Sequence, residues 1–129
     1  MNYGKGTIIF VRRTKFADNG QYDNRAGHPS MLPIASDDVS GDTYYLMLTS
    51  NVSKINAYPD KYYDLSDVWQ DIPLERPSLI NLQYIYKGRV EGGKLGGLWP
   101  QLYKDVIREL KRYQNEHPCE CYEELKGKI

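Results

Sequence analysis

The chain has 129 residues, with 17 lysines and arginines balanced by 17 aspartates and glutamates, so its formal net charge is zero. That length suits one domain able to bury a core without disulfide support, and the charge balance excludes a generally basic nucleic-acid coat, although a local cleft can still be positive. Residues 1–20 carry Arg12, Arg13, Lys15 and Asp18 where a secretory signal needs an apolar stretch, and no run approaches the roughly 20 apolar residues of a membrane span. A cytoplasmic protein without membrane contact is the expectation. Cys119 and Cys121 are too close in sequence to bridge each other readily. His117, Cys119 and Cys121 could offer metal ligands, but the chain has no second Cys/His pair. No metal site and no cofactor is expected.

In chain order, residues 6–11 are apolar and β-branched and predict an opening strand. Residues 17–27 are almost all turn-formers, with Asn19-Gly20 the sharpest signal, and predict a polar loop between two strands. Residues 31–35 predict a second strand in which Pro33 implies an edge position or a bulge. After an acidic turn, residues 43–48 predict a third strand, running into Thr49 and Ser50. Residues 51–61 read as loop, 62–65 as a short strand, and 66–70 as a helical turn or polar connection. Alternating apolar residues predict a strand through 76–86. Residues 87–97 are glycine-rich without a Gly-Lys-Ser/Thr ending, so they predict a flexible hairpin connection and no P-loop.

The last element is a helix over 98–115. Leu98, Leu102, Val106, Leu110 and Tyr113 recur at three- and four-residue spacing, and Pro100 suits a first turn. Pro118 stops its continuation, leaving residues 116–129 as a charged flexible tail behind a domain over 1–115. Twelve tyrosines fit strands and half-buried surfaces, and they can also stack on bases. The expected fold is mainly β with a C-terminal helix. It is a small, strongly bent sheet, or partly open SH3-like barrel, of about five to seven strands.

The chemistry concentrates in two segments. Arg25-Ala26-Gly27-His28-Pro29-Ser30 leads into the second strand, and Leu46-Met47-Leu48-Thr49-Ser50 ends the third. If those strands pair, a guanidinium, an imidazole and two hydroxyls meet at one end of a sheet. Metal-free RNA cleavage needs such groups: a base for the 2′-hydroxyl, a cation for the phosphate, and an acid for the departing 5′-oxygen. His28 titrates near neutrality, Arg25 can fork onto a phosphate, and Thr49 and Ser50 can donate hydrogen bonds. The same residues also read as an ordinary turn and an ordinary strand end.

Three segments carry a family pattern. Tyr3-Gly4-Lys5-Gly6-Thr7-Ile8-Ile9-Phe10-Val11 opens the chain, Ala26-Gly27-His28-Pro29 leads into the second strand, and Arg76-Pro77-Ser78-Leu79-Ile80-Asn81-Leu82 follows the third. With the Thr-Ser strand end and the closing helix, this order resembles the MazF/PemK family of toxin endoribonucleases, whose fold is shared with Kid, CcdB and ToxN-type toxins. Arg25 precedes His28 by three residues, where family members carry arginine beside the proline. The resemblance implies a metal-independent, sequence-selective ribonuclease acting on single-stranded RNA and leaving 2′,3′-cyclic phosphate and 5′-hydroxyl ends. It implies His28, Arg25, Thr49 and Ser50 as catalytic residues, Tyr22, Lys15, Lys54 and Asn51 as RNA contacts, a homodimer, and a cognate antitoxin. The alternatives are a CcdB-like or SH3-like protein-binding module, in which Arg25, His28 and Thr49 share no role.

Overall fold

A computed structural model describes residues 4–11, 14–15, 22–23, 30–89 and 92–129, with the backbone alone at residues 11, 14, 15, 22 and 23. The strands are β1 (Thr7–Val11), β2 (Thr14–Lys15), β3 (Tyr22–Asp23), β4 (Ser30–Ser36), β5 (Thr43–Thr49), β6 (Tyr62–Asp64), β7 (Leu79–Asn81), β8 (Tyr86–Gly88) and β9 (Gly92–Gly97). The helices are α1 (Lys54–Ala57), α2 (Pro100–Glu116) and α3 (Tyr122–Leu125). Among the described residues, seven strands form one antiparallel sheet in the order β6-β7-β5-β4-β1-β9, with β8 also on β5, and the sheet does not close. Strands β2 and β3 pair with each other in a separate ribbon.

The central strands are buried on both faces, which is why they read as continuous apolar runs. Ile8, Leu32, Ile34, Tyr44 and Leu46 pack with α2 in the larger core, while Ile9, Met31, Tyr45, Met47 and Tyr86 form a second cluster. Strict side-chain alternation along β1 and β5 sorts residues between the two. Strand β4 obeys it through a bulge. Leu32 faces Leu46 and Pro33 faces Tyr45, but Ala35 rather than Ile34 faces Tyr44. The extra residue lets Ile34 and Ala35 both reach the larger core. It also accommodates Pro33, so the bulge expected from that proline is present in an interior strand.

Helix α2 spans 17 residues, about 25 Å. Trp99 immediately precedes it without a side-chain capping bond, Pro100 occupies its first turn, and Leu102, Val106, Leu110 and Tyr113 are buried on one side. Each such side chain contributes roughly 1.5–3 kcal/mol of burial. No helix among the described residues is long and apolar enough to cross a membrane.

Three expectations need correction. The single strand expected over 76–86 is two strands. Strand β7 pairs Leu79 with Thr49 and Ile80 with Leu48, but β8 pairs Tyr86 with Tyr45. Continuing the first register would put Gln83 opposite Tyr45, so three residues are looped out between the two. Their backbone is satisfied elsewhere. The Gln114 amide, fully buried, donates to Leu82 O at 2.7 Å and Gln83 O at 3.0 Å, while the Ile85 N–H points to Cys119 Sγ at 3.4 Å.

The glycine-rich stretch expected as a flexible connection is largely β9, paired with β1 from Thr7↔Gly97 to Val11↔Gly92. Glycine is needed there for close approach. A Cβ on Gly96 would sit 2.8 Å from Ile72 O, and Gly97 N–H donates to that same carbonyl at 2.8 Å. Gly6, at φ +85°, would place a Cβ 2.6 Å from Leu98 O.

The tail expected beyond residue 115 is a packed segment instead. Tyr122 and Leu125 are buried in the larger core, and the Cys119 N–H donates to Gln114 Oε1 at 2.8 Å. The Tyr122 hydroxyl donates to Asn115 Oδ1 at 2.8 Å, and the Lys128 ammonium reaches Ser36 O at 3.2 Å.

Gln114 thus joins α2, the connection between β7 and β8 and the C-terminal segment through three hydrogen bonds. Gln114→Leu strands two buried carbonyls and an N–H, and is expected to lower the unfolding free energy by about 2–4 kcal/mol. Gln101→Leu on the exposed side of the same helix should change it by less than about 0.5 kcal/mol. Urea titrations of both variants check this, and equal effects would contradict it.

Candidate functional site

Thr49 closes β5 opposite Leu79 of β7, which in turn lies beside Asp64 of β6. Alternation along β5 assigns Thr49 to the face of Tyr45 and Met47, away from α2, since Leu48 packs against the larger core. Thr49 is half-buried and Ser50 is exposed. The chain then turns tightly. The Asn51 N–H donates to Thr49 Oγ1 at 3.2 Å, the Val52 N–H donates to Ser50 O at 2.9 Å, and the Lys54 N–H donates to Asn51 O at 3.2 Å. The Ser53 hydroxyl donates to Asn51 Oδ1 at 2.7 Å.

These bonds fix the hydroxyl end chemically. Thr49 Oγ1 is oriented as an acceptor from Asn51, so its own proton remains to be donated. Asn51, expected as an RNA contact, is held by Thr49 through its backbone and by Ser53 through its side-chain oxygen. Lys54, expected as another, opens α1 with a half-buried side chain and forms no ion pair among the described residues. Thr49, Ser50, Asn51 and Lys54 therefore lie along the turn from the end of β5 to the start of α1.

Strand β4 begins at that end. Ser30 lies beside Phe10 of β1, and Met31 lies beside Met47 of β5. The antiparallel pairing of the second and third strands, on which the meeting of the two chemical segments depended, is thus present. His28 and Arg25 lie outside the described residues. The other two expected RNA contacts, Lys15 and Tyr22, stand opposite each other in the β2–β3 ribbon. Strand β2 lies against β8, on the edge of the sheet that also carries Tyr86.

Tyr86 stacks on Tyr45 with ring centroids 5.5 Å apart, and the exposed Tyr84 tilts against Tyr86 at 6.3 Å. This aromatic row, which the sequence announced only as a high tyrosine count, arises because the β5–β8 register sets Tyr45 against Tyr86.

The other end of β5 is held by charge. Lys87 Nζ lies 2.8 Å from Asp37 Oδ2 and 3.5 Å from Glu124 Oε1, and sits over the Tyr44 ring at 5.3 Å. The Lys87 hydrogen bond, then the Val39 and Ser40 N–H groups, hold the Asp37 carboxyl well below the usual carboxylate range. The bond to Asp37 in turn pushes the Lys87 ammonium up. Burial first, then Glu124, raises the Tyr44 phenol. Burial also pushes the Cys121 thiol up to about 11, so it is protonated and a poor nucleophile at neutral pH.

Neither a scan of protein-family models nor a search of curated proteins finds a match to this chain.

A depressed carboxyl stabilises the folded chain above the ordinary aspartate value of about 4 and loses that contribution as pH falls through the depressed folded value. The Tm difference between the native chain and Asp37→Asn should therefore be full near pH 6 and shrink towards pH 2. Melting curves across that range check it, and a constant difference would remove the Asp37–Lys87 pair as its origin.

Proposed function

We propose that this chain is a metal-independent endoribonuclease of the toxin type that the MazF/PemK resemblance implies, cutting single-stranded RNA. The observation that carries this reading is the antiparallel β4–β5 register. It sets the start of β4 beside the hydroxyl end of β5. In the sequence, His28 precedes Ser30, the first residue of β4, by two positions. The element order also supports the reading: an opening strand, a long polar segment, two long paired strands, and a helix covering one face of a small open sheet.

In this reading His28 removes the 2′-hydroxyl proton or delivers one to the 5′-oxygen, and water exchanges the other proton. The 2′-oxygen bonds to phosphorus as the bond to the 5′-oxygen breaks, giving a 2′,3′-cyclic phosphate and a 5′-hydroxyl. Thr49 and Ser50 donate hydrogen bonds to the phosphate oxygens, and Arg25 neutralises their charge. Asn51, Lys54, Lys15 and Tyr22 contact the RNA on either side. The SH3-like form of the sheet, a homodimer, a cytoplasmic setting and a neutralising antitoxin belong to the same proposal. A CcdB-like or SH3-like binding module is the competing outcome.

The test is incubation of the purified chain with mixed-sequence RNA in excess EDTA, with end mapping. Cleavage should give cyclic phosphates, and His28→Ala or Thr49→Val should lower the rate about 10²-fold or more. Cleavage that survives both substitutions unchanged would sink the site. Absence of cleavage together with tight binding to a protein target would favour the binding module.

A further inference from the structure

The β5–β7 register carries one step further than the hydroxyl pair. Thr49 faces Leu79 as the last pair of the β5–β7 ladder, so Ser50 and Ser78 are the first residues beyond the same end of it. Ser78 is 9% exposed and tied on both sides. Its carbonyl accepts the Leu65 N–H at 3.0 Å, and its hydroxyl donates to Arg76 O at 3.0 Å. Pro77, next in the chain, disfavours helical backbone at Arg76. Arg76 is thus anchored through its backbone at the sheet end where β5 delivers Thr49 and Ser50. Its side chain is exposed and forms no ion pair with a carboxylate among the described residues.

We propose that Arg76 supplies a second guanidinium to this site, a phosphate clamp that approaches from β7 and contacts an RNA phosphate beside Ser50. This rests on the ribonuclease reading and deepens it. The clamp is independent of Arg25, which belongs to the segment before β4. A guanidinium forks onto two phosphate oxygens, and an exposed one carries no ion pair that must first be broken.

The experiment measures two readouts on the native chain, Arg76→Ala, Arg76→Lys and Lys104→Ala. One is kcat/KM for cleavage of mixed-sequence RNA in EDTA. The other is the salt dependence of binding to a fluorescein-labelled 2′-O-methyl oligonucleotide, which lacks the nucleophile. Arg76→Ala should lower kcat/KM about 10²-fold and reduce the log–log salt slope by about 0.7. Arg76→Lys should keep the salt slope while recovering only part of the cleavage, since it keeps the charge without the fork. Lys104→Ala, on the exposed side of α2, should change neither readout. Unchanged cleavage and slope in Arg76→Ala would overturn the clamp and leave the ribonuclease reading standing. Arg76-dependent binding by a native chain that does not cleave would support the clamp and sink the nuclease. A native chain that neither binds nor cleaves would overturn both.

Discussion

The pairing of β4 with β5 is the constraint on which the rest of this structure depends. Because side chains alternate, a slip of one residue would exchange Leu46 and Tyr44 for Tyr45 and Met47 against α2 and empty both cores at once. The bulge at Ile34 holds the register where Pro33 has no N–H to give. The other strands of this sheet are placed relative to the pair: β1 on one side, β7 and β8 on the far edge of β5, β6 beyond β7, and β9 beyond β1. The register that fills the cores also aligns the start of β4 with the end of β5. The packing and the candidate chemistry have one origin.

Two anchors keep that pair from carrying the fold alone. Near the C-terminal end of α2, Gln114 satisfies the backbone of residues that left the sheet and catches the chain as it returns through Cys119. At the opposite end of β5 from Thr49, Lys87 links β8 to Asp37 in the turn after β4 and to Glu124 in α3. One anchor is buried and acts through hydrogen bonds. The other is partly exposed and acts through charge, so it responds to pH while the first does not. Among the described residues, the hydroxyl loop has neither kind of support from a distant element. It is held by short-range bonds among Thr49, Asn51 and Ser53, which leaves its outer surface available to a ligand.

What was legible in the sequence follows from which forces are local. The stripe Leu102, Val106, Leu110 and Tyr113 announced α2, and the β-branched run before Arg12 announced β1, because periodicity is a local property. The break at residues 82–85 was not legible, because the residue that satisfies their carbonyls lies more than thirty positions away. Strand β9 was hidden because glycine has little strand preference, and its pairing depends on close approach to Ile72 that no neighbouring residue signals. The C-terminal segment was hidden because two buried residues, Tyr122 and Leu125, are few against its charged ones. At the site, the hydroxyl pair was legible as a strand end. Arg76 was visible only as part of a family pattern, since its neighbourhood is created by the β5–β7 register.

The proposed ribonuclease site requires that the histidine preceding β4 in the sequence meet the threonine that closes β5. Its most direct measurement is a solution NOE between the His28 ring protons and the Thr49 methyl group, recorded beside the Met31–Met47 contact as an internal standard for the register. The account predicts both NOEs, and predicts that the His28 ring signals shift when a 2′-O-methyl oligonucleotide is added. A clear Met31–Met47 contact with neither the His28–Thr49 NOE nor the shift would contradict it.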